Sequence, residues 1–153
     1  MPHEFRLIRR VEFAETDMAG IMHFANFFRF MEAAEHAFLR SLGVSVHMEL
    51  DGRTIGWPRV RVACDYKRPL RFEDEVEAHL MVREKREKSL AYEFIFHRVE
   101  EPAQEVARGS FTVVCVSMDA QSGKMKAVPI PDVIAQHIEV APEADSGGDI
   151  VSG

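Results

Sequence analysis

A chain of 153 residues fits one domain and leaves little room for a second. Its hydrophobic fraction of 46% is enough to build a core, which excludes wholesale disorder. The formal net charge of -6 argues against a dedicated nucleic-acid binder, although local basic clusters can still hold a small anionic ligand. The two cysteines, Cys64 and Cys115, are far apart in apolar alternating runs, where a buried reduced thiol is expected. Met1 to Arg6 has no basic segment leading into an apolar run, and no stretch nears the roughly 18 uninterrupted apolar residues of a membrane helix. The expectation is a cytoplasmic protein without a signal peptide or a membrane span.

From Phe5 to Phe13 the pattern alternates, with Phe5, Leu7, Val11 and Phe13 on one face, as in a half-buried strand. Ala14 to Phe24 breaks that alternation and carries a turn signal, Thr16-Asp17-Met18-Ala19-Gly20. Ala25 to Leu42 has helical spacing: Phe27, Met31, Ala34 and Phe38 line one side, and Arg29, Glu32, His36 and Arg40 form a narrow polar stripe. A helix this apolar must be covered over most of its surface, and Gly43 supplies its stop. Val44 to Gly56 reads as a loop. Strand patterns then follow at 60–66, 76–82 and 90–96. Val106 to Met118 is a long run, apolar on both faces. The joins Glu84–Lys88 and Glu100–Gln104 are short and polar, which suits antiparallel hairpins. Pro129 and Pro131 precede a short helix at Asp132–Ile138. The economical architecture is α+β, a single sheet with one helix packed on it. The domain is placed at 1–141, and the Gly-, Ser- and Asp-rich tail at 142–153 is expected to be disordered.

The stretch that bears chemistry runs from Val11 to Glu32: a strand, a loop carrying Asp17, a permissive Gly20, and the start of the buried helix. Free backbone N–H groups at a helix N-terminus can stabilise an oxyanion developing on a carbonyl. A neighbouring carboxylate can act as nucleophile or as general base toward water. Together these parts suit acyl transfer. Taken alone, the same spacing also fits an aspartate that only caps a backbone N–H in a turn.

The segment resembles the signature of the 4-hydroxybenzoyl-CoA thioesterase family through Phe13, Thr16-Asp17, Ala19-Gly20-Ile21 and Phe24-Ala25-Asn26-Phe27 running into Phe30-Met31-Glu32. The later run Pro69-Leu70-Arg71-Phe72-Glu73-Asp74-Glu75-Val76 is similar to a turn between strands in that family, and the likeness spans roughly Phe5 to Met118. It implies a hotdog fold, a curved antiparallel sheet wrapped around one long central helix. It also implies a homodimer or homotetramer with active sites at the subunit interface, which would account for the two-sided apolarity of Val106–Met118. By the same resemblance Asp17 is the catalytic carboxylate and the backbone N–H around Phe24 polarises the thioester carbonyl. The substrate is then an acyl-CoA, hydrolysed without a metal or other cofactor. Where relatives often carry Tyr or Trp before the position of Phe24, this chain has His23, which either assists Asp17 or satisfies a local carbonyl. Gly20 shapes the loop, and Asn26 either orients it as a helix cap or touches substrate.

Coenzyme A carries several phosphates, so a basic rim is expected. Arg86 and Lys88, in the turn 83–89, match the family's nucleotide-contacting turn best; Arg59, Arg61, Lys67 and Arg68 form a second basic set. Glu32, Glu35 and His36 have metal-like helical spacing, but ion pairs with Arg29 and Arg40 at i,i+3 and i,i+4 account for them more simply. Ser110 follows Gly109 inside a strand, which is no nucleophile elbow. Two alternatives share the fold: a thioesterase acting on acyl-carrier protein, and a module that binds acyl-CoA without hydrolysing it.

Overall fold

The computed structural model describes residues 2–143, so the tail expected to be disordered lies, from 144 onward, outside the described residues. In chain order the elements are β1 (Glu4–Arg10), a 3-10 turn (Phe13–Glu15), α1 (Asn26–Ser41), β2 (Met48–Leu50), β3 (Arg53–Gly56) and β4 (Arg59–Tyr66). They continue with β5 (Glu75–Lys85), β6 (Ser89–Arg98), β7 (Gln104–Val114), β8 (Val116–Met118), β9 (Met125–Ala127) and α2 (Asp132–Ala135). A five-stranded sheet has the order β1-β5-β6-β7-β4, and a smaller one the order β2-β3-β8-β9. Every pairing is antiparallel.

α1 lies against the large sheet because its apolar residues recur every three or four positions. Phe27, Phe30, Met31, Ala34, Phe38 and Leu39 are all buried. The inward residues of β5, β6 and β7 complete the core, among them Leu80, Phe94, Phe96 and Phe111. Gly43, at φ +80°, ends the helix as expected, with Val44 N–H reaching back to Leu39 O at 3.1 Å. One close approach sets the seating of the helix. A Cβ on Gly109 of β7 would lie 1.9 Å from Cε of the fully buried Met31 and 3.2 Å from Ala63 O.

Several sequence expectations are corrected. The segment 44–56 is not a loop: it forms the β2–β3 hairpin, and β3 pairs with β8. Val106–Met118 is not one strand; it breaks at the buried Cys115, where the chain leaves the large sheet for the small one. The run therefore spans two sheets, with β7 lying between β6 and β4 and β8 between β3 and β9. The edge strands of the large sheet are β1 and β4, and β4 carries the exposed Val60 and Val62. Phe13 is 76% exposed and does not join Phe5 and Leu7 at the core, because β1 ends at Arg10 and the 3-10 turn rotates it outward. α2 stops at Ala135 and continues to Ile138 only as single turns.

Gly109→Ala should destabilise the chain by about 1–3 kcal/mol, since the added methyl would meet both the buried Met31 side chain and the Ala63 carbonyl. Thermal melting measures this, and an unchanged midpoint would show that the helix can shift away from β7 at no cost.

Candidate active site

Between β1 and α1 the loop is tied down at almost every residue. The 3-10 turn is closed by a reciprocal capping box between Glu12 and Glu15. Thr16 bridges to Met22, Asp17 N–H donates to Ile21 O at 2.9 Å, and Gly20 N–H donates to Asp17 O at 2.9 Å. The turn needs φ +79° at position 20, which glycine adopts without strain. The Asp17 carboxylate is exposed and accepts Ala19 N–H on Oδ1 at 2.8 Å. The turn-capping role open to it in the sequence is therefore filled, and Oδ2 has no hydrogen bond among the described residues.

The loop then docks onto neighbouring structure. Met22 N–H donates to Leu70 O at 2.7 Å, and the carbonyl of Glu15 accepts both His23 N–H (2.9 Å) and Asn26 Nδ2 (2.8 Å). Asn26 is thus a buried anchor for the helix start. α1 has Ala25 at its N-cap and no side-chain cap, and the N–H groups of Phe24 and Ala25 have no acceptor among the described residues. Tyr66, at the end of β4, donates its hydroxyl to Phe24 O at 3.0 Å.

A cleft of about 470 Å³ opens here. Asp17 and Phe24 line it with Phe27, Tyr66, Lys67 and Arg68, and Ile21, Met22, Pro69 and Leu70 form the rest of its wall. Of the sequence-predicted residues, Asp17 and Phe24 therefore come together. Gly20 shapes the turn, and Asn26 holds the helix start without lining the cleft. His23 is exposed beside it, its ring 4.7 Å from that of Phe24.

Arg86 and Lys88 are not brought to this cleft within the chain. They sit in the β5–β6 turn, and Arg86 pairs with Glu84 at 3.2 Å. Register puts Tyr66 beside Ala107 and Ala107 beside Phe96, whereas Ser89 pairs with Val114 at the other end of the sheet. The separation along β6 is roughly 20 Å. The second basic set divides instead: Lys67 and Arg68 reach the cleft, and Arg59 turns inward. Lys67 pairs with Glu105, whose carboxyl is held at about 2 by hydrogen bonds from Arg108 and Lys67. Tyr66 was overlooked in the sequence because it reads as the last apolar residue of an alternating strand; its place directly before Lys67-Arg68-Pro69 was the available signal.

The Glu32–Glu35–His36 cluster is also resolved differently from expectation. Glu35 is buried and pairs not with a helix arginine but with Arg59 of β4, whose guanidinium also donates to Trp57 O at 3.0 Å. Arg59 stacks 5.1 Å over the ring of Phe111. Burial pushes Glu35 up from about 4.5 to about 7, against the opposing pull of Arg59.

The family model described as the Thioesterase-like superfamily matches residues 11–138. The chain belongs to that superfamily. A 1,4-dihydroxy-2-naphthoyl-CoA hydrolase of Synechococcus sp. (strain WH7803) is 26% identical over 143 residues, covering 89% of each chain. The structure of BH1999 gentisyl-coenzyme A thioesterase superposes with TM-score 0.73 at 30% identity, covering 88% of this chain and 100% of that one. The 4-hydroxybenzoyl-CoA thioesterase from Pseudomonas sp. strain CBS-3 shares the fold at TM-score 0.75 and 20% identity, covering 88% and 99%. The hotdog fold expected from the sequence is therefore the fold found, and the chain is an enzyme of the acyl-CoA thioesterase type. No helix among the described residues is long and apolar enough to cross a membrane.

Because Glu35 takes up its proton more readily in the folded chain than in the unfolded one, its contribution to stability is full below about pH 4.5 and is lost as pH rises through about 7. The melting temperature of Glu35→Gln relative to wild type should therefore rise by several degrees between about pH 5 and about pH 8. A flat difference would show a carboxylate that is ionised throughout.

Proposed function

We propose that the chain hydrolyses an acyl-CoA thioester, adding water across the carbon–sulfur bond to release the free acid and coenzyme A. The observation that carries this reading is the sharing of one cleft by a carboxylate with a free oxygen, Asp17, and by Phe24 at an uncapped helix start. The Phe24 N–H stabilises the oxyanion as the thioester carbonyl becomes tetrahedral. Asp17 Oδ2 acts by one of two routes. It attacks the carbonyl to give a mixed anhydride that water then opens, or it takes a proton from a water that attacks directly. In both, the sulfur leaves with the electron pair of the broken bond and is protonated as coenzyme A. Hydroxylamine trapping at Asp17 distinguishes the routes, because only the first leaves an acyl group on the enzyme.

Lys67 and Arg68 at the cleft suit the phosphates of coenzyme A. The rings of Phe24, Phe27 and Tyr66, packed edge to face at 5.1 and 6.4 Å, suit a flat acyl group. The naphthoyl and gentisyl substrates in the names of the relatives are aromatic, which supports aromatic acyl-CoA as the preferred class. His23 lies close enough to Phe24 to contact the same substrate.

A second copy of the chain is placed along the open β4 edge, where backbone groups and exposed Val60 and Val62 lack a partner among the described residues. Antiparallel pairing of two β4 strands would set the Tyr66 end of one beside the Arg59 end of the other. The basic turn with Arg86 and Lys88 lies at the Arg59 end, so each subunit's turn would swing toward the other's cleft.

Assays of coenzyme A release from aromatic, short-chain and long-chain acyl-CoAs should show turnover that falls at least about 100-fold in a folded Asp17→Asn variant. In the same assay, Arg68→Ala should raise KM several-fold with little change in kcat. Unchanged turnover in Asp17→Asn removes it from the chemistry, and no turnover with any acyl-CoA turns the reading to carrier-protein substrates or to a binding module. Light scattering should give twice the 17.4 kDa chain mass, and Val62→Arg should yield monomers with a raised KM. A wild-type monomer at assay concentration overturns the β4 pairing.

A further inference from the structure

The geometry points to Tyr66 as a positioning residue: by donating its hydroxyl to the carbonyl of Phe24, it fixes the first turn of α1 so that the free N–H groups there hold their aim on the cleft. This rests on the hydrolytic reading above and assigns a task to a residue that the loop motif does not contain. Helices usually satisfy their first N–H groups with a Ser, Thr, Asp or Asn side chain, which also fixes the entry angle of the chain. Ala25 at the N-cap can do neither; the carbonyls of His23, Phe24 and Ala25 take the N–H groups of Asn26, Phe27 and Phe28, and the N–H groups of Phe24 and Ala25, just before the helix, remain without acceptors among the described residues. A side chain that accepted from the Phe24 or Ala25 N–H would occupy the donors that an oxyanion needs, so this segment has to be held through its acceptors and side chains instead.

Two such holds exist, on opposite sides. Asn26 Nδ2 donates to Glu15 O at 2.8 Å, tying the first turn back to the Asp17 loop. Tyr66 OH donates to Phe24 O at 3.0 Å, tying the same turn to the large sheet across 42 residues of sequence. Within the helix, Phe24 O receives only the long 3.3 Å contact from Phe27 N–H, so the tyrosine supplies its shorter bond. The ring is wedged as well, 5.1 Å from Phe27 and 6.4 Å from Phe24, and Phe27 in turn sits 5.3 Å from Phe96 of β6. The hydroxyl is thereby braced against the core while it lines the cleft. Partial burial, with Cys64 beside it, pushes Tyr66 up to about 12, so it remains a protonated donor across the neutral range.

Tyr66→Phe keeps the ring and removes only the donated bond. For aromatic acyl-CoA hydrolysis, kcat should fall about five- to tenfold while KM stays within about twofold, with the melting temperature nearly unchanged. Amide hydrogen exchange should accelerate at residues 26–28, whose N–H groups bond the carbonyls of 23–25, in Tyr66→Phe and stay as in wild type in β5–β7. Wild-type kcat in Tyr66→Phe, or a loss confined to KM, would overturn the assignment and make Tyr66 a wall of the cleft. Exchange at 26–28 that matches wild type would overturn it even if no acyl-CoA is turned over, so its failure is separable from failure of the hydrolytic reading.

Discussion

An apolar helix that begins without a cap has to be held by its surroundings, and the carbonyl of Glu15 is where this chain does so. That one oxygen accepts His23 N–H and Asn26 Nδ2 together. It therefore sets how the loop closes, where the helix starts and how far Asp17 stands from it. The capping box fixes Glu15 itself, which makes the short 3-10 turn the rigid part of the site. Asp17 is exposed, but its loop is not free to wander: hydrogen bonds at Asp17, Ala19, Gly20 and Met22 hold the backbone on both sides of the carboxylate. Such advance ordering is what electrostatic stabilisation of a transition state requires.

The other end of α1 is governed by a different balance. There the helix buries Glu35 against Arg59, and the desolvation of a carboxylate outweighs the attraction of its partner. The same arginine, engaged with Glu35, Trp57 O and the Phe111 ring, is the first residue of the open-edge strand β4. One polar contact inside the core thus fixes the start of β4, and the Tyr66 hydroxyl fixes its end. The strand that borders the cleft is pinned to the central helix at both termini, with Phe27 and Phe111 supplying the apolar packing in between.

Much of this was legible in the sequence, for reasons that can be named. Helical spacing of Phe27, Phe30, Met31, Ala34 and Phe38 is a local property, and α1 falls within a residue of where it was placed. The loop with Asp17 and Gly20 was legible because a φ-positive turn before an apolar helix leaves a strong mark on residue choice. What could not be read locally was tertiary. The β2–β3 hairpin has only three- and four-residue strands, too short for alternation to register, and it depends on β8 for a partner. Cys115 carries no sign that the sheet changes there. Glu35 shows helical spacing to its neighbours, yet its partner lies 24 positions away on another element. Tyr66 looked like one more apolar residue because hydrogen bonds from a hydroxyl leave no periodicity.

The placement of the cations follows from the same sheet. Strand register is rigid, so residues at one end of β6 and β7 cannot serve a cleft at the other end, whatever their charge. Lys67 and Arg68 are near the cleft because β4 ends there, and Arg86 and Lys88 are far from it because the β5–β6 turn closes the opposite end. The basic turn with Arg86 and Lys88 stands about a strand's length from the cleft of its own chain, and the proposed pairing of two copies would reverse the direction of the sheet and bring the two together. Antiparallel extension across the β4 edge would do so, since it would relate the two ends of the sheet by a two-fold axis. The open edge, the divided basic residues and the cleft at the end of β4 are therefore three consequences of one topology, and the split of charge between the two ends is what a site completed by a second copy of the chain would look like from within one copy.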